Sequence, residues 1–123
     1  MNIKLSQLQK SVLEQVVYRV ADEYYVGYDG GRWAFSRESV WSPKVSGKVN
    51  LVNPNNYSDV IVKPKTAGYA LTLLAASQIC YKCYEQGRDE ATEFWANIME
   101  NIKTSAVNSL VGDELTNFLS FID

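Results

Sequence analysis

Tyr28-Asp29-Gly30-Gly31-Arg32-Trp33-Ala34-Phe35 marks the place where the chain changes period. Before it, apolar residues recur at helical spacing; after it, they alternate. Gly30 and Gly31 let the backbone take positive φ values that other residues avoid. In the strand that follows, Trp33 and Phe35 fall on one face, with Arg32 and Ala34 on the other. The stretch therefore predicts a tight turn that leads into a sheet.

Working outward towards the N-terminus, Ser6 followed by Gln9 fits a helix capping box. Leu8, Val12, Val16, Val17, Val20 and Tyr24 then form a broad apolar stripe, with Lys10, Glu14 and Asp22 on the far side. This helix should end near Val26-Gly27, since glycine commonly terminates helices. Working towards the C-terminus, Arg32 to Ser36 reads as a half-buried strand. Val40-Trp41-Ser42 reads as a second, stopped by Pro43, and Lys48-Val49-Asn50-Leu51 as a third. Asn53-Pro54-Asn55-Asn56 is a turn signal, and the β-branched run Val60-Ile61-Val62 ends before Pro64. Short links between such strands favour an antiparallel meander.

The remainder reads as helical. Thr66 is a candidate cap for a helix through Ala67, Leu71, Leu74, Ala75 and Ile79 towards Tyr84, closed by Gln86-Gly87. Apolar residues cover most of its circumference, which predicts a central buried helix. Asp89 is a candidate cap for the next, whose stripe is Ala91, Phe94, Trp95, Ile98, Met99 and Ile102. After Gly112-Asp113, Leu115, Phe118, Leu119 and Ile122 make a last short amphipathic helix. The expected fold is α+β: one domain over 1–123 with an N-terminal helix and a small antiparallel sheet of three to four strands. A helical C-terminal half packs on that sheet.

Composition narrows the function. A net charge of −2 offers no basic stripe for a phosphate backbone. Fourteen acids offset by twelve bases do not build the field of a DNA mimic. There is no histidine, which excludes Ser-His and Cys-His nucleophilic arrangements. Two cysteines and scattered carboxylates are a thin basis for a metal, and no cofactor is expected. The start of the chain lacks the apolar core of a signal peptide. The apolar stretch Ala67 to Tyr81 is shorter than the roughly 20 residues a membrane span requires. The expectation is a cytoplasmic protein with no membrane contact and no enzymatic activity.

Each candidate site has a plain structural reading beside it. Cys80-Tyr81-Lys82-Cys83 matches a redox spacing, but it falls late in a helix, where the dipole opposes a thiolate. Core packing is the better reading. Asp22 and Glu23 are neighbours that do not face each other on a helix, and Asp29 is suited to its own turn. Gly30-Gly31 precedes a strand, whereas phosphate loops open onto a helix. Tyr18, Tyr24, Tyr25, Tyr28, Trp33 and Trp41 suit a core edge first, a protein interface second and stacked bases third. Lys63-Pro64-Lys65 reads as a solvated loop whose proline stops the strand.

Taken together, these residues resemble the ArdB/KlcA antirestriction family of plasmids, phages and mobile islands. Tyr28, Gly30, Gly31, Trp33 and Phe35 meet the family's Tyr-x-Gly-Gly-x-Trp-x-Phe-like segment. Trp41-Ser42-Pro43 is similar to its aromatic near a proline. Ala67-Gly68-Tyr69-Ala70-Leu71-Thr72-Leu73-Leu74-Ala75 resembles its Ala-Gly helix, and Phe121-Ile122-Asp123 its Ile-Asp-like tail. Arg37-Glu38-Ser39 stands where the family has an Asn-Gly-Gly turn, and Lys63-Pro64-Lys65-Thr66 where it has an acid before Ala-Gly. The resemblance implies a non-enzymatic protein that protects incoming DNA from host type I restriction without DNA mimicry. With the missing catalytic chemistry and the near-neutral charge, it leads to the expectation of action through contact with host protein, a candidate being the type I restriction-modification machinery. The alternative is an interaction module of the same fold with a different partner. An enzyme using Asp29, Asp22 or Glu23 with Arg32 ranks last. The candidate interaction surface is Tyr28, Asp29, Arg32 and Trp41 around the turn, with Asp123 added by the tail resemblance alone.

Overall fold

The Ser6–Gln9 capping box forms as the sequence predicts. The Gln9 amide donates to the Ser6 hydroxyl at 3.1 Å, and the Ser6 amide donates to the Gln9 side chain at 2.8 Å. They open α1 (Gln7–Tyr24) in a computed structural model that describes residues 3–123. Met1 and Asn2, the start of the expected domain, lie outside the described residues. The buried face of α1 is Leu13, Val16, Val17, Val20 and Ala21. Leu8 and Val12, expected in that stripe, are exposed. The helix packs through the line 13–16–17–20, which leaves Leu8 and Val12 outside the seam. Lys10 and Glu14 depart from the expected solvent face and are half-buried. Glu14 accepts a hydrogen bond from the Tyr18 hydroxyl at 2.6 Å.

The sheet is where expectation and structure part. β1 (Trp33–Phe35) pairs antiparallel with β2 (Trp41–Pro43), and β3 (Val49–Asn53) with β4 (Ser58–Val62). Four strands thus form two separate two-stranded sheets instead of one meander. In each sheet one edge is hydrogen-bonded by another element. On β2, the Trp41 amide donates to the Thr72 hydroxyl at 3.1 Å, and that hydroxyl donates back to the Trp41 carbonyl at 3.0 Å. On β3, Tyr25 bridges to Leu51, and the Val26 amide donates to the Asn50 carbonyl at 3.0 Å. Pro43 is the last residue of β2, paired with Trp33, and does not stop the strand before it.

α2 (Pro64–Glu85) is the central helix, in contact with α1 and β2 and with the two helices that follow it, α3 (Asp89–Ser109) and α4 (Gly112–Ile122). Its start differs from expectation. Lys63 is the N-cap and Pro64 occupies the first turn, where a missing N–H costs nothing. Lys63-Pro64-Lys65 is therefore a helix start, not a solvated loop. Thr66 lies inside the helix and donates its hydroxyl to Glu114, which also accepts from the Lys63 amide at 3.0 Å. A carboxylate from α4 thus supplies what a local cap would. The far end closes as the Gln86-Gly87 signal predicts, with the Gly87 amide bonded to the Tyr84 carbonyl and the Arg88 amide to that of Cys83, both at 3.0 Å. Asp89 is the first residue of α3, with Arg88 as N-cap, so it does not cap the helix.

Trp95, Ile98, Ile102 and Ala106 form the buried face of α3. On α4, Phe118 and Phe121 are buried, while Leu115, Leu119 and Ile122 are half-buried. Phe121 was outside the predicted stripe; its ring meets Tyr24 edge-on at 5.9 Å. The end of α4 is tied to the β3–β4 turn. Asn53 donates to the Phe121 carbonyl at 2.9 Å, and Asn56 to those of Ser120, Phe121 and Asp123 at 3.1, 3.2 and 3.0 Å. These amides satisfy carbonyls that a helix end leaves free. Among the described residues, no helix is long and apolar enough to cross a membrane.

Candidate functional site

Gly30 and Gly31 both take positive φ, 98° and 96°, as the turn requires. A Cβ at either would meet nothing within 4 Å, so the need for glycine is conformational rather than steric. Beyond the turn, Trp33 and Phe35 pack on the core while Arg32 and Ala34 point outward, as the alternation predicts.

Tyr28 is half-buried. Its hydroxyl accepts from Trp33 Nε1 at 3.2 Å, and its ring lies edge-on to Trp33 at 5.9 Å and 5.3 Å from Tyr25. Tyr18 closes the cluster at 5.7 Å from Trp33. These aromatics are thus mainly a core edge. Asp29 and Arg32 are exposed on either side of the glycines. The turn therefore leaves Asp29 and Arg32 in solvent, beside a Tyr28 that packs against Trp33 and Tyr25.

Trp41 does not join them. It is only 7% exposed, with its ring 4.9 Å from Phe35, so its place in the expected surface is corrected. The β1–β2 pairing turns both rings towards α1, where the Lys10 ammonium lies 4.7 Å from the centre of Phe35 and 5.7 Å from that of Trp41. Asp123 is exposed but belongs to the tail held by Asn56, not to the glycine turn.

A second constellation escaped the sequence reading. A Cβ on Gly68 would sit 2.1 Å from Ser42 Oγ, 2.8 Å from Ser42 Cβ and 3.0 Å from Ser42 Cα. Glycine is needed there because β2 lies directly against α2. One turn on, Thr72 grips Trp41 from the same helix face. Tyr69 donates its hydroxyl to Glu38 at 2.5 Å. Burial, reinforced by that bond to a carboxylate, pushes the Tyr69 phenol up to about 12. Burial and Glu14 do the same for Tyr18, also to about 12. The signal for this seam was present in Ala67-Gly68, since a glycine inside an otherwise apolar helix marks a close approach.

Cys80 and Cys83 are free thiols, half-buried and buried, late in α2. Burial and the neighbouring Cys83 raise the Cys80 thiol, the opposite of what a reactive thiolate needs. Asp22 and Glu23 are exposed. Among the described residues, no group of three or more His, Cys, Asp or Glu is placed to hold a metal. No family model matches the chain, and no curated protein gives a significant match.

Proposed function

We propose that this is an antirestriction protein of the ArdB/KlcA type. It would protect mobile-element or phage DNA from host type I restriction by contacting a host protein in the cytoplasm. The observation that carries the reading is that three of the four segments behind the resemblance meet in space, the Phe121-Ile122-Asp123 tail lying apart at the β3–β4 turn. Tyr28–Phe35 supplies β1, and Trp41–Pro43 pairs with it as β2. Ala67–Ala75 is the part of α2 whose Gly68 and Thr72 touch Ser42 and Trp41. Scattered likenesses gain weight when their residues constrain one another in a packed unit.

Action by contact, without catalysis, fits the exposure of Asp29 and Arg32 and the near-neutral charge. The contact surface is then the outer edge of the glycine turn: Asp29, Arg32 and the exposed part of Tyr28. The test is phage plating or plasmid transfer into a host with type I restriction, with and without the protein. Relief of restriction is expected; equal restriction in both hosts would sink the reading.

A second reading, a module of this fold with a different partner, is favoured by Lys63 and Lys65. Both are exposed at the start of α2, where the resembled family carries an acid. A pull-down that recovers only restriction subunits would count against it.

A further inference from the structure

A cavity of about 510 Å³ opens between the start of α1 and the β1–β2 turn. Lys4, Lys10 and Arg37 line it, and no carboxylate does so among the described residues. In a chain of net charge −2, that is a local inversion of sign. Gln7, the first residue of α1, is also on the wall, and the first turn of α1 carries no acid. The partial positive charge of the helix end therefore adds to the three cations. Ile3, Leu5 and Phe35 give the same cavity apolar surface.

Of the three cations, Lys10 is held in place, while Lys4 and Arg37 are exposed at the rim. Lys10 lies against the Phe35 and Trp41 rings, 4.7 and 5.7 Å from their centres, and is half-buried. The turn that carries Arg37 is pinned to the opposite wall, because the buried Ser39 hydroxyl donates to the Ile3 carbonyl at 3.3 Å. Ser39 takes a positive φ of 65°, a conformation that non-glycine residues rarely adopt.

We infer that this cavity binds a small phosphate monoester. Such a group carries about −1.5 to −2 charges at neutral pH and three acceptor oxygens, which three cations match better than a single carboxylate would. The Arg37 guanidinium presents a fork to two of those oxygens, while Lys4 and Lys10 act as point charges. The apolar walls take the organic part, and the volume is in the range of small-molecule sites, about 300–1,000 Å³. A nucleic-acid backbone would call for a stripe of cations across the surface, whereas these three line a single hollow. The inference is independent of antirestriction activity, and either can fail alone.

The test is titration of the folded protein at low salt with AMP, inorganic phosphate and adenosine, followed by NMR chemical shifts and calorimetry. Saturable one-site binding of AMP is expected, with shifts at Phe35 and Arg37. Inorganic phosphate should compete more weakly, and adenosine should not bind. Arg37→Gln, in an exposed turn, should weaken AMP by about tenfold or more. Lys10→Gln should weaken it and Lys10→Arg should retain it, with melting temperatures separating loss of binding from loss of fold. Absence of saturable AMP binding, equal binding of adenosine, or unchanged affinity in Arg37→Gln and Lys10→Gln would overturn the inference. So would duplex DNA binding more tightly than AMP through the same residues.

Discussion

Gly30 and Gly68 flank the same hairpin, one ahead of β1 and the other behind β2, and glycine is needed at each for a different reason. At Gly30 the space is open and the backbone is left-handed; at Gly68 the backbone is helical and the space is filled by Ser42. The first constraint acts on the residue itself, and the second on the contact between two elements. The turn can therefore tolerate polar variety at its edge, while the seam can tolerate almost none. That difference separates a surface available to partners from the scaffold that presents it.

The largest effect should come from filling the seam. Gly68→Val drives a branched side chain into Ser42 and is expected to cost about 3 kcal/mol in urea denaturation. Gly68→Ala should cost less, because alanine recovers about 1 kcal/mol of helix propensity, and Ser42→Gly should restore most of the loss. A Gly68→Val protein as stable as the parent would break the comparison.

Next comes the hydrogen bonding of the same seam. Thr72→Val removes the hydroxyl that serves both main-chain groups of Trp41 and leaves them buried without partners. A loss of about 2 kcal/mol is expected by the same measurement.

The Tyr69–Glu38 bond adds a pH dependence whose sign follows from the raised phenol. Above the ordinary value of 10.0 the unfolded chain releases its tyrosine protons first, so stability is full below pH 10 and falls towards pH 12. Tyr18 contributes in the same direction. Tyr69→Phe should cost about 1 kcal/mol at neutral pH and flatten part of the alkaline loss, read from unfolding midpoints between those pH values. An unchanged alkaline slope would contradict the bond's contribution.

At the turn the effect should be smaller and depend on residue type. Gly30→Val is expected to cost about 1–2 kcal/mol, and Gly30→Asn much less, because asparagine tolerates left-handed backbone. Equal costs for the two would show that space, not φ, is limiting there.

What the sequence made legible follows from how local each cause is. The Ser6–Gln9 box, the Gly30–Gly31 turn and the Gln86–Gly87 stop are set within a few residues and appear as read. The apolar stripe of α3 was readable for the same reason. The division into two sheets was not, and the edge of Trp41 is satisfied by Thr72, distant in sequence and helical in period. The start of α2 was misread because its carboxylate comes from Glu114 on another helix. Trp41 passed for a contact residue because aromatics serve cores and interfaces alike, and only the packing of Phe35 and Lys10 around it decides. Of the candidate surface, Asp29 and Arg32 were placed correctly as exposed turn residues, since a glycine turn leaves its flanks in solvent.

The most direct measurement of the central claim is phage plating efficiency in a type I restricting host carrying either the parent protein or Asp29→Ala/Arg32→Ala. Both substitutions lie at exposed positions and should change stability by less than about 0.5 kcal/mol. The account predicts relief of restriction by the parent and loss of relief in the double variant at unchanged melting temperature. No relief by the parent, or equal relief by both, would contradict it.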